Sequence, residues 1–196
     1  MEIFEALLAG YLEHQIGVSE GFLSAALSES LKENLLILDN KRFLLEAGTG
    51  NAAITTHNKQ VRGDSIYWLD KSHNDPFENE FFLRIDAFVK FLNQSCYAGI
   101  TGYEFHYTLY EAGSFYIRHL DQFKNNPGRA FSMISYLNAD WQEKDGGELM
   151  VYEPGCNRKF SPTQGKTVFF KSDELEHEVL LTNKRRLSIT GWLKRG

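Results

Sequence analysis

Cysteine is scarce in this chain: Cys96 and Cys156 are the only two, far apart and outside any Cys-x-x-Cys spacing. A disulfide-stapled secreted scaffold and a cysteine-ligated zinc site are therefore excluded, and both thiols read as reduced and incidental. Long apolar runs are missing as well; none approaches the ~20 residues that cross a bilayer. The opening segment Met1-Glu2-Ile3-Phe4-Glu5 carries acids where a secretory signal carries bases. Nor is there a basic excess. With 21 Lys and Arg against 26 Asp and Glu the net charge is −5, whereas a nucleic-acid binder shows a basic stripe. The runs Lys184-Arg185-Arg186 and Lys194-Arg195 are too short to reverse that balance. No internal repeat and no low-complexity segment stands out. These absences lead to the expectation of a cytoplasmic protein with neither membrane nor nucleic acid as partner.

Aromatic residues, by contrast, are plentiful: 15 Phe, 9 Tyr and 3 Trp in 196 residues. A chain of this size buries roughly 70% of its unfolded surface and needs no staple to fold. One domain over 1–196 is expected, with mainly helical support over 1–45, a mobile Gly/Thr/Asn-rich covering loop over 46–66 and a β core over 100–195. Ile3, Phe4, Leu7, Leu8, Tyr11 and Leu12 recur at helical spacing, as do Phe22, Leu23, Ala26, Leu27 and Leu31 behind Ser19, a candidate cap. Residues 35–38 and 43–45 read as short strands. A third helix starts at Asp75, with Pro76 at its first position and Glu78 completing a capping box.

From Tyr103 the text changes character. β-rich runs at 103–110, 115–119, 131–137, 148–152, 167–170, 175–181 and 187–193 alternate with turn residues such as Ala112-Gly113-Ser114, Asn126-Pro127-Gly128, Asp145-Gly146-Gly147 and Pro154-Gly155. The expected fold is α+β with a mostly β core. It is a double-stranded β-helix, or jelly roll, with the N-terminal and supporting helices on one face.

His-x-Asp occurs twice, at His73/Asp75 and at His119/Asp121. The first lies in a turn-like run where Asp75 already caps a helix, and reads as structural. The second follows the strand-like Phe115-Tyr116-Ile117-Arg118. Residues two apart on an extended segment face one way, so His119 and Asp121 reach one ion. His177, in a later strand-like run, is the candidate third ligand. Two imidazoles and a carboxylate make the facial triad of non-haem iron sites. His106 reads as a packed or surface strand residue. Strand parity puts Arg186, Ser188, Thr190 and Trp192 on one face, with Leu187, Ile189 and Leu193 on the other. An arginine on the interior face calls for a bidentate carboxylate. A dicarboxylate such as 2-oxoglutarate, chelating the metal at its other end, satisfies it.

Several segments resemble the iron(II)- and 2-oxoglutarate-dependent prolyl hydroxylases. They are Tyr116-Ile117-Arg118-His119-Leu120-Asp121, Gly128-Arg129, Ser135-Tyr136-Leu137-Asn138, Gly146-Gly147-Glu148-Leu149 and Arg186-Leu187-Ser188-Ile189-Thr190-Gly191-Trp192. The similar branch is that of the hypoxia-inducible-factor prolyl hydroxylases and their bacterial relatives. Val61-Arg62-Gly63-Asp64-Ser65-Ile66-Tyr67-Trp68 resembles that branch's substrate-covering loop and the strand after it. The resemblance implies Fe(2+) on His119, Asp121 and His177, and 2-oxoglutarate on Arg186, Tyr136, Thr190 and Tyr110. It implies O2 as oxidant and ascorbate as reductant. Around Tyr110 the chain departs from the family, with Glu111-Ala112 where relatives have Pro-Gly. Arg62, Asp64, Arg118, Arg129 and Trp192 are implied in loop and substrate positioning, Asp64 pairing with Arg129 across the loop. The implied reaction is hydroxylation of a prolyl residue in a protein, with elongation factor Tu as the target in bacterial relatives. Two alternatives stand beside it: a small-molecule or free amino-acid hydroxylase on the same fold, and a non-redox cupin-like metal protein.

Overall fold

Three helices form where an apolar stripe recurs at helical spacing: α1 (Glu2–His14), α2 (Ala25–Asn40) and α3 (Pro76–Cys96). The structure, a computed structural model, describes residues 1–48, 61–122, 128–153 and 155–196. Asp75 caps α3 by accepting from the backbone N–H of Phe77 and of Glu78, each at 2.9 Å. The Glu78 side chain does not turn back to close a capping box; its Oε2 lies 2.9 Å from His73 Nδ1. Ser24, not Ser19, caps α2, its Oγ accepting from Leu27 N at 3.1 Å. The run 35–38, expected as a strand, continues α2, because Leu27, Leu31 and Leu35 form one buried stripe and that period outweighs a local run of apolar residues.

Ser19 instead belongs to β1 (Ile16–Glu20). The other strands are β2 (Leu45–Glu46), β3 (Asp64–Trp68), β4 (Gly102–Tyr110), β5 (Tyr116–His119), β6 (Arg129–Tyr136), β7 (Leu149–Glu153), β8 (Cys156–Phe160), β9 (Lys166–Lys171), β10 (Glu176–Val179) and β11 (Arg186–Lys194). They form a larger antiparallel sheet in the order β1-β9-β6-β11-β4-β3-β2 and a smaller one in the order β5-β10-β7-β8. This is the jelly roll, and its sheet reaches further back than residue 100, since β1, β2 and β3 extend it at both edges. β1 escapes sequence reading because it follows α1 directly and contains Gly17. A Cβ there would stand 2.0 Å from Leu7 O, so the strand lies hard against the helix.

The larger sheet has two distinct faces. Leu187, Ile189 and Leu193 of β11 pack with Leu7, Leu31, Phe81 and Phe88 of the helices. The opposite face turns toward the smaller sheet, where Ile134, Tyr136, Leu149, Val151 and Phe170 form a second apolar cluster. The covering-loop segment starts at the β2 end and finishes in β3; residues 49–60, with the turn residues Asn126, Pro127 and Pro154, lie outside the described residues. Just after that gap, Ile117 N donates to Val61 O and Gly63 N to Phe115 O. Residues 61–63 therefore run along the edge of β5 that β10 leaves open.

Candidate active site

In the β5–β10 ladder His177 stands directly opposite His119, and Asp121 follows β5 by two residues. Asp121 Oδ1 is 3.5 Å from His119 Nε2 and Oδ2 is 3.5 Å from His177 Nε2. All three ligand atoms lie within 4.8 Å of one another. His119 Nδ1 donates to Ile117 O at 2.7 Å and His177 Nδ1 to Leu175 O at 3.1 Å. A carbonyl oxygen only accepts, so each Nδ1 carries a proton, and each ring turns its Nε2 toward Asp121. Burial pushes His177 down to about 4, which keeps it neutral. Burial alone would push Asp121 up. His177, His119 and the hydroxyl of Ser132, which donates to Oδ2 at 2.7 Å, outweigh it and hold the carboxyl well below the usual carboxylate range. Two imidazoles and one carboxylate fit a divalent ion and leave coordination positions open. His73 and Asp75 are not in this ligand cluster, although His73 lines the cavity beside it; they bond Glu78 and cap α3, as expected for the first His-x-Asp.

Arg186 opens β11 and is 1% exposed. Its Nε donates to Gly147 O at 2.8 Å. Among the described residues, its Nη2 and the Tyr136 hydroxyl are buried without a hydrogen-bond partner. The guanidinium carbon lies 5.1 Å from the ring centroid of Tyr110 and 5.1 Å from that of Tyr136. Burial pushes both phenols up, so each keeps its proton. A buried guanidinium with an idle N–H edge beside an idle hydroxyl fits a ligand carboxylate, since leaving such groups unpaired costs several kcal/mol or more. Thr190 lines the same cavity, its Oγ1 3.4 Å from Ser188 Oγ. Sequence reasoning gave no role to three residues that fix this arrangement: Ser132, Gly147 and Asn138. Asn138 donates to Leu187 O and accepts from Leu187 N, which pins the residue after Arg186.

The triad and Arg186 line one cavity of about 980 Å³. Phe43, Leu45, Trp68, Ile117 and Leu120 line it too and are largely exposed, giving it an apolar rim. The expected pairing of Asp64 with Arg129 is not formed. Arg62, two residues away, reaches Asp64 with Nε on Oδ1 and Nη2 on Oδ2, both at 2.6 Å, and lies over the Tyr116 ring at 4.4 Å. That fork satisfies both carboxylate oxygens. Arg129 instead bonds Glu104 at 2.9 Å and stacks 3.4 Å from the Trp192 ring. Arg118, on the strand face opposite His119, bonds Glu176 at 2.9 Å and stacks on Tyr152 at 3.9 Å. His106 is a packed strand residue, as expected, yet it lines the cavity between Trp68 and Trp192, and burial pushes it down to about 4.

A jelly roll with two imidazoles, a carboxylate and an unpaired arginine in one cavity is the arrangement of a non-haem iron oxygenase that takes a 2-oxo acid. Residues 105–194 match the 2OG-Fe(II) oxygenase superfamily. The crystal structure of a Pseudomonas putida prolyl-4-hydroxylase is 31% identical, with a TM-score of 0.89 over 98% of this chain and 99% of that one. A Trichoplax adhaerens prolyl hydroxylase, solved with a hypoxia-inducible-factor peptide, shares the fold at a TM-score of 0.87 and 22% identity over 98% and 89% of the two chains. Mouse prolyl hydroxylase EGLN3 is 24% identical over 91% of this chain and 79% of its own length. The chain belongs to the 2OG-Fe(II) oxygenase superfamily, in its prolyl hydroxylase family. It is an enzyme that uses Fe(2+), 2-oxoglutarate and O2. Among the described residues no helix is long and apolar enough to cross a membrane.

Proposed function

We propose that the enzyme hydroxylates a prolyl residue within a protein, in the cytoplasm, with His119, Asp121 and His177 holding iron(II) and Arg186 anchoring 2-oxoglutarate. The observation that carries this reading is the unpartnered Nη2 edge of Arg186 in the cavity that also holds the triad. When bound, the iron and 2-oxoglutarate would supply the activation of O2, one oxygen atom ending in succinate as carbon dioxide is lost and the other in the new hydroxyl. The chain's own residues orient and enclose. Ile117 O and Leu175 O hold the two imidazoles in one tautomer, and Ser132 steers the Asp121 carboxylate. Tyr136, Tyr110 and Thr190 complete the pocket for the distal carboxylate, and the buried walls exclude water.

A free amino acid would bring an ammonium and a carboxylate into the cavity. Most of the wall's cations already face a carboxylate: Arg62 faces Asp64, Arg118 faces Glu176, and Arg129 and Lys194 share Glu104. That favours a prolyl residue inside a chain, which carries neither charge, and the apolar rim suits its neighbours. A neutral small molecule is not disfavoured in this way and stands as the second reading. A non-redox cupin-like role leaves Arg186 without a purpose. Elongation factor Tu is the first target to test. Incubation with iron(II), 2-oxoglutarate, O2 and ascorbate should add one oxygen to a proline; an unmodified target during active turnover would exclude it. Anaerobic addition of iron(II) and then 2-oxoglutarate should give a weak visible charge-transfer band, absent in His119→Ala and weakened in Arg186→Ala. Tight metal binding without any band in the wild type would sink the site assignment.

A further inference from the structure

Arg186 is held from behind by a junction of three backbone segments that meet at Thr182. Thr182 is completely buried. From the turn before β5, Gly113 N donates to Thr182 O at 2.7 Å and Ser114 O accepts from Thr182 N at 3.0 Å. From the turn before β7, Gly147 N donates to Leu181 O at 3.0 Å and Asp145 O accepts from Asn183 N at 2.8 Å. Within its own turn, the Thr182 hydroxyl donates to Lys184 O at 2.6 Å. Arg185 then bonds Glu111 at 3.0 Å and also reaches Asp39 at the end of α2.

The junction bears on Arg186 through Gly147. A Cβ on Gly147 would stand 2.9 Å from Thr182 Cβ and 3.2 Å from Arg186 Cδ, so the two side chains meet in the space that this glycine leaves open. Its φ of +66° suits only glycine without strain. Among the described residues, its carbonyl is the acceptor that orients Arg186 Nε. The direction of the idle Nη2 edge is therefore set by where Gly147 sits, and Gly147 sits where Thr182 allows.

We propose that Thr182 is a positioning residue for the co-substrate: its hydroxyl closes the 182–184 turn and its side chain backs Gly147, which together aim Arg186 at the distal carboxylate. The inference rests on Arg186 being that anchor, and the test separates the two. Binding of 2-oxoglutarate to the iron(II) protein would be measured by anaerobic calorimetry. 2-Oxobutyrate, which has the same 2-oxo acid head but no distal carboxylate, would be measured by competition. Thr182→Ala should weaken 2-oxoglutarate on the order of 10-fold, the scale of one orienting hydrogen bond. It should leave 2-oxobutyrate unchanged, and Thr182→Ser should restore wild-type binding. Should Thr182→Ala not fold, Thr182→Val, which keeps the shape and loses the donor, is read in the same way. Unchanged 2-oxoglutarate binding, or equal weakening of both ligands, overturns the proposal while a loss in Arg186→Ala keeps the anchor. Unchanged binding in Arg186→Ala overturns anchor and proposal alike.

Discussion

Ser132 shows how a small side chain controls a metal ligand from behind. Its hydroxyl donates to Asp121 Oδ2 at 2.7 Å and lies 2.9 Å from Ser172 Oγ. Such contacts to a ligating carboxylate typically govern 10–100-fold of metal affinity. Ser132→Ala should therefore weaken iron(II) binding by about 10-fold or more, measured by anaerobic titration; unchanged affinity would remove Ser132 from the site. Glu104 gives a pH prediction. Burial alone would push it up, but Arg129 and Lys194 outweigh that and hold it below its ordinary value. A carboxyl depressed in the folded state contributes stability above its unfolded value, near 4.5, and loses it as pH falls through the folded one. Below pH 4.5 the wild type should lose stability faster than Glu104→Gln, read from denaturation midpoints across pH 3–7. Parallel curves would mean that the pair is screened by solvent.

Elements differ in how much of themselves they print in the sequence. α3 was legible because Asp75, Pro76 and the stripe Phe81, Phe82, Ile85, Phe88 and Leu92 agree locally. Asp75→Ala should cost about 1 kcal/mol in chemical denaturation, within the 0.5–2 kcal/mol range of such caps. It should leave turnover unchanged, since the helix packs on the face away from the triad. A loss of turnover at full folding would contradict that division of faces. The β11 alternation was legible for the same reason: one face apolar, one face carrying Arg186, Ser188 and Thr190. β1 and β8 were not, one being a glycine-containing strand whose partner β9 is distant in the chain and the other a polar edge strand, whereas the short strand read at 43–45 meets β2 at Leu45. The last part of α2 misled, because Leu35-Leu36-Ile37-Leu38 alone fits either structure and only its phase with Leu27 and Leu31 decides. The triad could be found from residue types and strand parity. The partner of Asp64 could not, since the fork from Arg62 depends on the backbone path between them.

At the scale of the whole molecule, the two sheets divide the work. The larger one presents Arg186 and rests on the helices, while β5 and β10 of the smaller one bring the imidazoles. β5 is four residues long, and its ladder with β10 consists of His177↔His119 and Val179↔Tyr116 with an irregularity between them. An ion held by His119 and His177 would act there as a cross-link in the way a disulfide does elsewhere, tying two strand ends that the backbone joins only sparsely. Backbone amides of 116–119 should exchange with solvent more slowly in metal-loaded protein than in protein stripped by a chelator, and His119→Ala should abolish the difference. Equal exchange in both states would show that β5 needs no clamp. Because 61–63 is hydrogen-bonded to that same strand, a metal that firms β5 should also slow exchange at residues 61–63 of the cavity wall.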